Sequence, residues 1–237
     1  MDHQELPNQD KTIPDQGHQF PHEQYQNASQ TQVLSPSAAT RTTKTYNMYY
    51  TTSRLNVRLH LGSPCVYYCQ GTILTNKPQL QLRSGDSKSA PMVAFAKLHL
   101  TSRNLLIGSG DYQRDSEDKL VWEEIRREKL RLVRSDYEFD TAIGSGTRRT
   151  YSWKRDMESA MKTVYRCVDE TGQVVISLLS GGMFNWKKGG EIEIVQGLDK
   201  SLEELLIVSA LGIWAAEAGW SVFKGYPSGK DKDGPRH

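Results

Sequence analysis

Six cations are spaced so that they could hold phosphate. Lys129, Arg131, Arg148 and Lys154 each alternate with buried-type neighbours, which puts them on outward strand faces, and Lys187 and Lys188 fall on a turn within KKGG. Phosphorylated headgroups need several convergent cations, with Arg offering a planar fork and Lys a point charge. Beside an anionic leaflet such a cluster gains about 1 kcal/mol per Lys or Arg. The ordinary alternative is a solvated face with acids interspersed. Glu123, Glu124, Glu128, Glu191 and Glu193 stand close by in sequence. The six cations are the candidate lipid- or phosphate-binding set.

Other chemistry finds less footing. His60, Cys65, Cys69 and His99 are metal-ligand types, yet CVYYC sits in an alternating stretch and paired CxxC knuckles are absent. Cys65, Cys69 and Cys167 read as reduced, buried thiols, and no metal or cofactor is expected. The segments Ile107 to Asp111 and Ile143 to Thr147 repeat IGSG but are neither GxSxG elbows nor phosphate loops. Both read as loops. Nothing ties His60 or His99 to a nucleophile, so the chain does not read as an enzyme. Trp153, which shares a face with Tyr151, and Trp214, inside an apolar run, read as core rather than as a stacking platform.

The elements that must position these residues have a period of two. Arg54 to Leu61 puts Leu55, Val57, Leu59 and Leu61 on one face, as a half-buried strand does. Val66 to Leu74, Pro91 to Leu100 and Leu105 to Ile107 are further strand candidates. Lys119 to Val133 is ambiguous, and the alternation from Lys129 onward favours strand over its second half. Arg148 to Arg155 faces Tyr151 and Trp153 one way. Val164 to Val168 and Gln173 to Leu179 flank DETG as a hairpin, and Met183 to Trp186 and Glu191 to Val195 flank KKGG as another. That makes ten or eleven short strands, and many antiparallel strands need closure to avoid open edges.

The stretch from Leu198 to Trp220 differs from all of this. Ser201 and Glu204 have capping-box spacing, and Leu205 to Ala216 is apolar or small almost throughout. A helix apolar all round must be enclosed. The run is shorter than the roughly 20 apolar residues of a bilayer span, and Glu203, Glu204 and Glu217 border it. A helix at the core of a β shell is therefore expected.

The chain has 237 residues and a net charge of +2. Its first 44 residues are rich in Gln, Asn, Pro, Ser and Thr, with three basic against five acidic side chains, which leaves the rest near +4. So mild a bias gives no nucleic-acid footprint. Residues 1–44 and 224–237 read as disordered polar tails, and residues 45–223 as one domain. MDHQELPNQDK lacks a secretory apolar region. A cytoplasmic protein is expected, with peripheral-membrane or nuclear placement as alternatives.

TRRTYSWKR, YRCVDETGQVV and KKGGEIEIVQGLDKSLEELLIVSALGIWAAEAGW, spanning about Arg148 to Trp220, resemble the C-terminal half of fungal tubby-like proteins of unknown function. The resemblance implies a closed, mainly β barrel around a central apolar C-terminal helix. Its wider relatives, tubby, LURP-one-related proteins and phospholipid scramblases, imply phosphoinositide binding or membrane-linked work. No phosphoinositide motif of tubby maps onto residues of this chain. The expectation is a non-catalytic module that recognises anionic phospholipid headgroups. Two alternatives stand beside it: a protein-interaction scaffold whose N-terminal tail carries partner motifs, and a scramblase-like membrane protein.

Overall fold

The computed structural model describes residues 41–51, 56–72, 77–99, 104–116, 119–128, 136–159, 162–180 and 187–219. Twelve strands and one long helix lie within them. The strands are β1 (Thr43–Tyr50), β2 (Val57–Leu61), β3 (Cys65–Gly71), β4 (Leu80–Ser84), β5 (Met92–Leu98) and β6 (Leu105–Ser109), followed by β7 (Val121–Glu128), β8 (Asp136–Thr141), β9 (Arg149–Ser159), β10 (Lys162–Val168), β11 (Val174–Ser180) and β12 (Lys188–Val195). Helix α1 (Lys200–Trp214) comes last and runs into a π-helical turn, Ala215–Gly219. Each strand pairs antiparallel with its successor, and β1 also pairs with β12, from Thr43 opposite Val195 to Met48 opposite Gly190. The barrel is closed, with no open edge.

Alternation decides what enters the barrel. Tyr151 and Trp153 of β9, Ile192 and Ile194 of β12 and Met48 of β1 are buried, whereas Lys154 and Glu193 are exposed. A barrel's diameter grows with strand number, and twelve strands enclose more than their own side chains fill. Helix α1 supplies the missing volume, and every residue from Leu202 to Ile213 is buried. Strand β5 faces it with Ala94 and Ala96. A methyl at Gly212 would stand 3.6 Å from both Ala96 Cβ and Leu105 Cδ2, ordinary van der Waals distance, so helix and wall are in direct packing contact there. Among the described residues no helix is long and apolar enough to cross a membrane.

The helix is also pinned by polar contacts from several sides. Trp153 Nε1 donates to Ser209 Oγ at 3.2 Å, and Ser209 donates in turn to the Leu206 carbonyl. The Tyr46 hydroxyl donates to Glu203, whose other oxygen takes Lys44 Nζ at 2.6 Å. At the far end Tyr137 donates to Glu217, which also faces Arg155 at 3.5 Å and Arg127 at 3.9 Å. Each buried carboxylate thus has partners, as burial of charge demands.

Several sequence expectations need correction. The helix is capped by Asp199, which accepts from the Ser201 and Leu202 amides, not by a Ser201–Glu204 box. Glu204 instead turns to the Tyr67 hydroxyl at 3.4 Å. Lys188 is not on a turn: KKGG enters β12, where Lys188 opposes Tyr49 of β1. Gly189 serves packing there, since a Cβ on it would meet Met48 Cε at 2.9 Å and Tyr50 Cζ at 3.2 Å. Within Lys119 to Val133 the first half is also strand, β7, with Glu123 and Ile125 buried, while the strand expected from Lys129 onward lies outside the described residues. Ile107 to Ser109 belongs to β6, not to a loop. Strand β1 begins at Thr43, inside the expected tail, because pairing with β12 and β2 orders a segment too polar to announce itself. The remainder of that tail (1–40), residues 220–237 and the strand expected at Met183 to Trp186 lie outside the described residues.

Candidate functional site

The six candidate cations do not share one place. Lys129 and Arg131 lie outside the described residues. Arg148 stands at the end of the barrel where α1 begins, and its guanidinium donates to buried Glu123 at 2.8 Å. That makes Arg148 the counter-ion of an acid that burial would otherwise leave uncompensated. Lys154 is exposed in mid-wall and opposes Arg166 of β10, which is itself paired with Asp156. Lys187 and Lys188 sit at the opposite end, where β12 begins, and Lys188 is paired with Glu191.

A different set of side chains converges at the end where α1 begins. A cavity of about 350 Å³ is lined there by Arg41, Thr42, Arg149, Tyr151, Asp169 and Gln196, over a floor that includes Val175, Val195 and Leu202. Barrel closure builds it. The Gln196 amide donates to the Thr42 carbonyl at 2.9 Å, and the Gln196 side chain donates to the Thr43 carbonyl at 2.9 Å. These bonds bring Arg41 against the end of β12. Strand β9 enters opposite Thr141 of β8 with exposed Arg149, then turns Tyr151 inward onto Phe139, ring centroids 5.4 Å apart.

The β10–β11 turn adds the acid. Asp169 Oδ1 accepts from the Thr171 amide at 2.9 Å, the Thr171 hydroxyl at 2.6 Å and the Gln173 amide at 3.0 Å. Its Oδ2 lies 4.0 Å from Arg41 Nη1, within ion-pair range but beyond hydrogen-bonding distance. Burial works against the charged form of Asp169, but the Thr171 hydroxyl, the two amides and Arg41 outweigh it and hold the carboxyl below its usual range. Burial pushes the Tyr151 phenol upward, so it stays protonated and able to donate. Two guanidiniums, one fixed carboxylate and an apolar floor can bind a small amphiphilic anion, and they present no nucleophile paired with a base.

The rim around this mouth is apolar in places. Leu61, Val121, Trp122 and Val174 are 36–42% exposed. Leu61 ends β2, Val121 and Trp122 open β7 and Val174 opens β11, so the antiparallel order places all four at or beside this end. The cysteines lie elsewhere. Cys69 and Cys167 are buried, and burial raises the Cys69 thiol to about 12.

Sequence reasoning missed this site because its parts looked ordinary. Arg41 was assigned to the tail, Asp169 to a hairpin turn, and Arg149 adjoins the more conspicuous Arg148. The one readable signal was Asp-x-Thr-Gly in DETG, a turn in which the acid's side chain caps the following amides.

Fold and site together define a helix-filled antiparallel barrel with a cationic cavity at one mouth, an architecture compatible with a tubby-like fold. No family model, no curated protein and no solved structure matches the chain.

Proposed function

We propose that this chain is a tubby-like domain that docks on membranes by recognising anionic phospholipid headgroups, without catalysis. One observation carries the reading: a cavity bearing Arg41 and Arg149 opens at the barrel end that also exposes Leu61, Val121, Trp122 and Val174. A peripheral membrane site needs both parts, cations for the headgroup and apolar side chains that enter the interface. Lys154 would contribute field rather than contact.

Co-sedimentation of the full chain with neutral and anionic vesicles at low and high salt tests this. Binding should require anionic lipid and weaken with salt. At about 1 kcal/mol per arginine, Arg41→Ala with Arg149→Ala should weaken binding about 30-fold. Lys154→Ala should cost no more than about fivefold. Equal retention on neutral vesicles, or full binding by the double variant, overturns the reading and turns the search toward protein partners. Arg148→Ala is the wrong probe, because it strips buried Glu123 of its partner.

A further inference from the structure

The charges in the cavity have a pattern as well as a sum. Arg41 and Arg149 supply two cations, and Asp169 supplies one anion between the turn and Arg41. A polyphosphate headgroup would be drawn by the arginines and repelled by the carboxylate. Three bonds at Oδ1 fix that carboxylate, so it cannot swing away without undoing the β10–β11 turn. An acid placed this way selects against excess negative charge. We infer that the cavity takes a group in which one ammonium accompanies two anions, the pattern of a serine phosphodiester: phosphate and carboxylate to Arg41 and Arg149, ammonium to Asp169. The inference rests on reading the cavity as the headgroup site.

Several features support the match. The ligand's net charge of −1 balances the site's +1. The 4.0 Å gap between Asp169 Oδ2 and Arg41 leaves the carboxylate without a direct hydrogen bond from that guanidinium, so a ligand ammonium can take up the open oxygen. Its ionised state is secured by the turn's own donors. The apolar floor of Val175, Val195 and Leu202 suits the carbon skeleton that joins the charges. The same chemistry exists in a lipid, as phosphatidylserine, and in a soluble phosphodiester, as glycerophospho-L-serine.

The experiment uses the full chain and vesicles of phosphatidylserine, phosphatidylglycerol or a phosphatidylinositol bisphosphate, matched in surface charge, with calorimetry of free glycerophospho-L-serine as a second arm. The expected result is about a tenfold preference for phosphatidylserine over phosphatidylglycerol, and binding that glycerophospho-L-serine competes away. Asp169→Asn keeps the turn's acceptor and should bring the preference to within about twofold while the bisphosphate lipid binds better. If that variant melts early, Arg149→Gln, at an exposed strand start, should lower the same preference. Calorimetric binding of glycerophospho-L-serine without vesicle binding supports the inferred chemistry and assigns it to a soluble ligand. Equal binding of all three charge-matched vesicles overturns the inference and leaves the membrane reading intact. Failure of every anionic vesicle and of glycerophospho-L-serine overturns both.

Discussion

Replacing Gly108 with alanine should damage this protein far more than a single methyl group suggests. Gly108 lies in β6 beneath the ring of Phe95, which projects from the outer face of β5 yet is fully buried. The ring is held by Trp122 and Tyr112, with centroids 4.6 and 5.5 Å away. Tyr112 is fixed in turn by Gln81, which donates to its hydroxyl at 3.0 Å. A Cβ at Gly108 would stand 2.2 Å from Phe95 Cε2, 2.3 Å from Cζ and 3.0 Å from the Val121 carbonyl oxygen. Carbon contacts are optimal near 3.5–4.0 Å, so the ring must move by more than about 1 Å, against two aromatic neighbours. Overpacking of this kind costs about 1–3 kcal/mol, and the backbone oxygen, which cannot turn aside, places this case near 3. In a chain of this size that lowers Tm by about 6–12 °C. Gly146→Ala is the control: φ is +68° and nothing lies within 4 Å of the added carbon, so only backbone strain of about 1–2 kcal/mol applies. Urea unfolding of Gly108→Ala, Phe95→Ala and the double variant then forms a cycle. Phe95→Ala alone should lose about 3–5 kcal/mol, but alanine at 108 should then cost less than about 1 more. Strict additivity, or a Gly108→Ala protein as stable as wild type, would refute the packing argument.

Further expectations concern the core and its charges. Ile207→Asp or Leu211→Asp places an unpartnered carboxylate in the barrel's centre and should abolish cooperative unfolding by circular dichroism; a wild-type melt would mean the helix is not enclosed in solution. Glu217→Ala removes the acid that Arg155 and Arg127 share and the acceptor of the Tyr137 hydroxyl. It should cost about 2 kcal/mol in urea unfolding, because both arginines are partly exposed, whereas Glu217→Gln should recover part of that loss. Burial, joined at Tyr46 and Tyr137 by hydrogen bonds to carboxylates, raises the phenols of Tyr46, Tyr67, Tyr137 and Tyr165, the last to about 12. Their folded values lie above the unfolded one, so the stability they lend is complete below about pH 10 and is lost as pH rises beyond it. The urea midpoint should fall steeply between about pH 10 and 11, each tyrosine contributing up to about 1.4 kcal/mol per pH unit; a flat midpoint there would contradict the burial of these hydroxyls.

What could be read from the sequence, and what could not, follows from range. The alternation of Tyr151 and Trp153 with Ser152 and Lys154 is a local pattern, and it gave β9 its faces. The run from Leu205 to Ala216, apolar or small almost throughout, has one physical solution, enclosure, and it led directly to a helix inside a closed barrel. Strand β1 was missed altogether because its outward residues, Thr43, Thr45 and Asn47, are polar and Lys44 is turned toward Glu203, a partner 159 positions away. The cavity has the same origin. Arg41, Arg149 and Asp169 meet only because β1 closes against β12, and no short-range signal encodes that meeting. Lys188 was misplaced because Gly-Gly suggests a turn, whereas here it makes room for Met48. The candidate cations were chosen by exposure, and exposure alone does not reveal that Arg148 is committed to Glu123.

The enclosed helix also has a history to reckon with during synthesis. It is the last described element to leave the ribosome, yet it is the interior around which the earlier twelve strands must arrange themselves. Until it emerges, the nascent sheet exposes a face bearing Leu59, Leu82, Ile107, Phe139 and Trp153 with nothing to cover it. The seam between β1 and β12 joins residues about 150 positions apart, so the ring cannot close early either. Such non-local order makes folding slow and leaves time for misassociation. Holdase chaperones would find their substrate in this interval, and a message truncated before Leu202 would yield a chain they could not release into a native state.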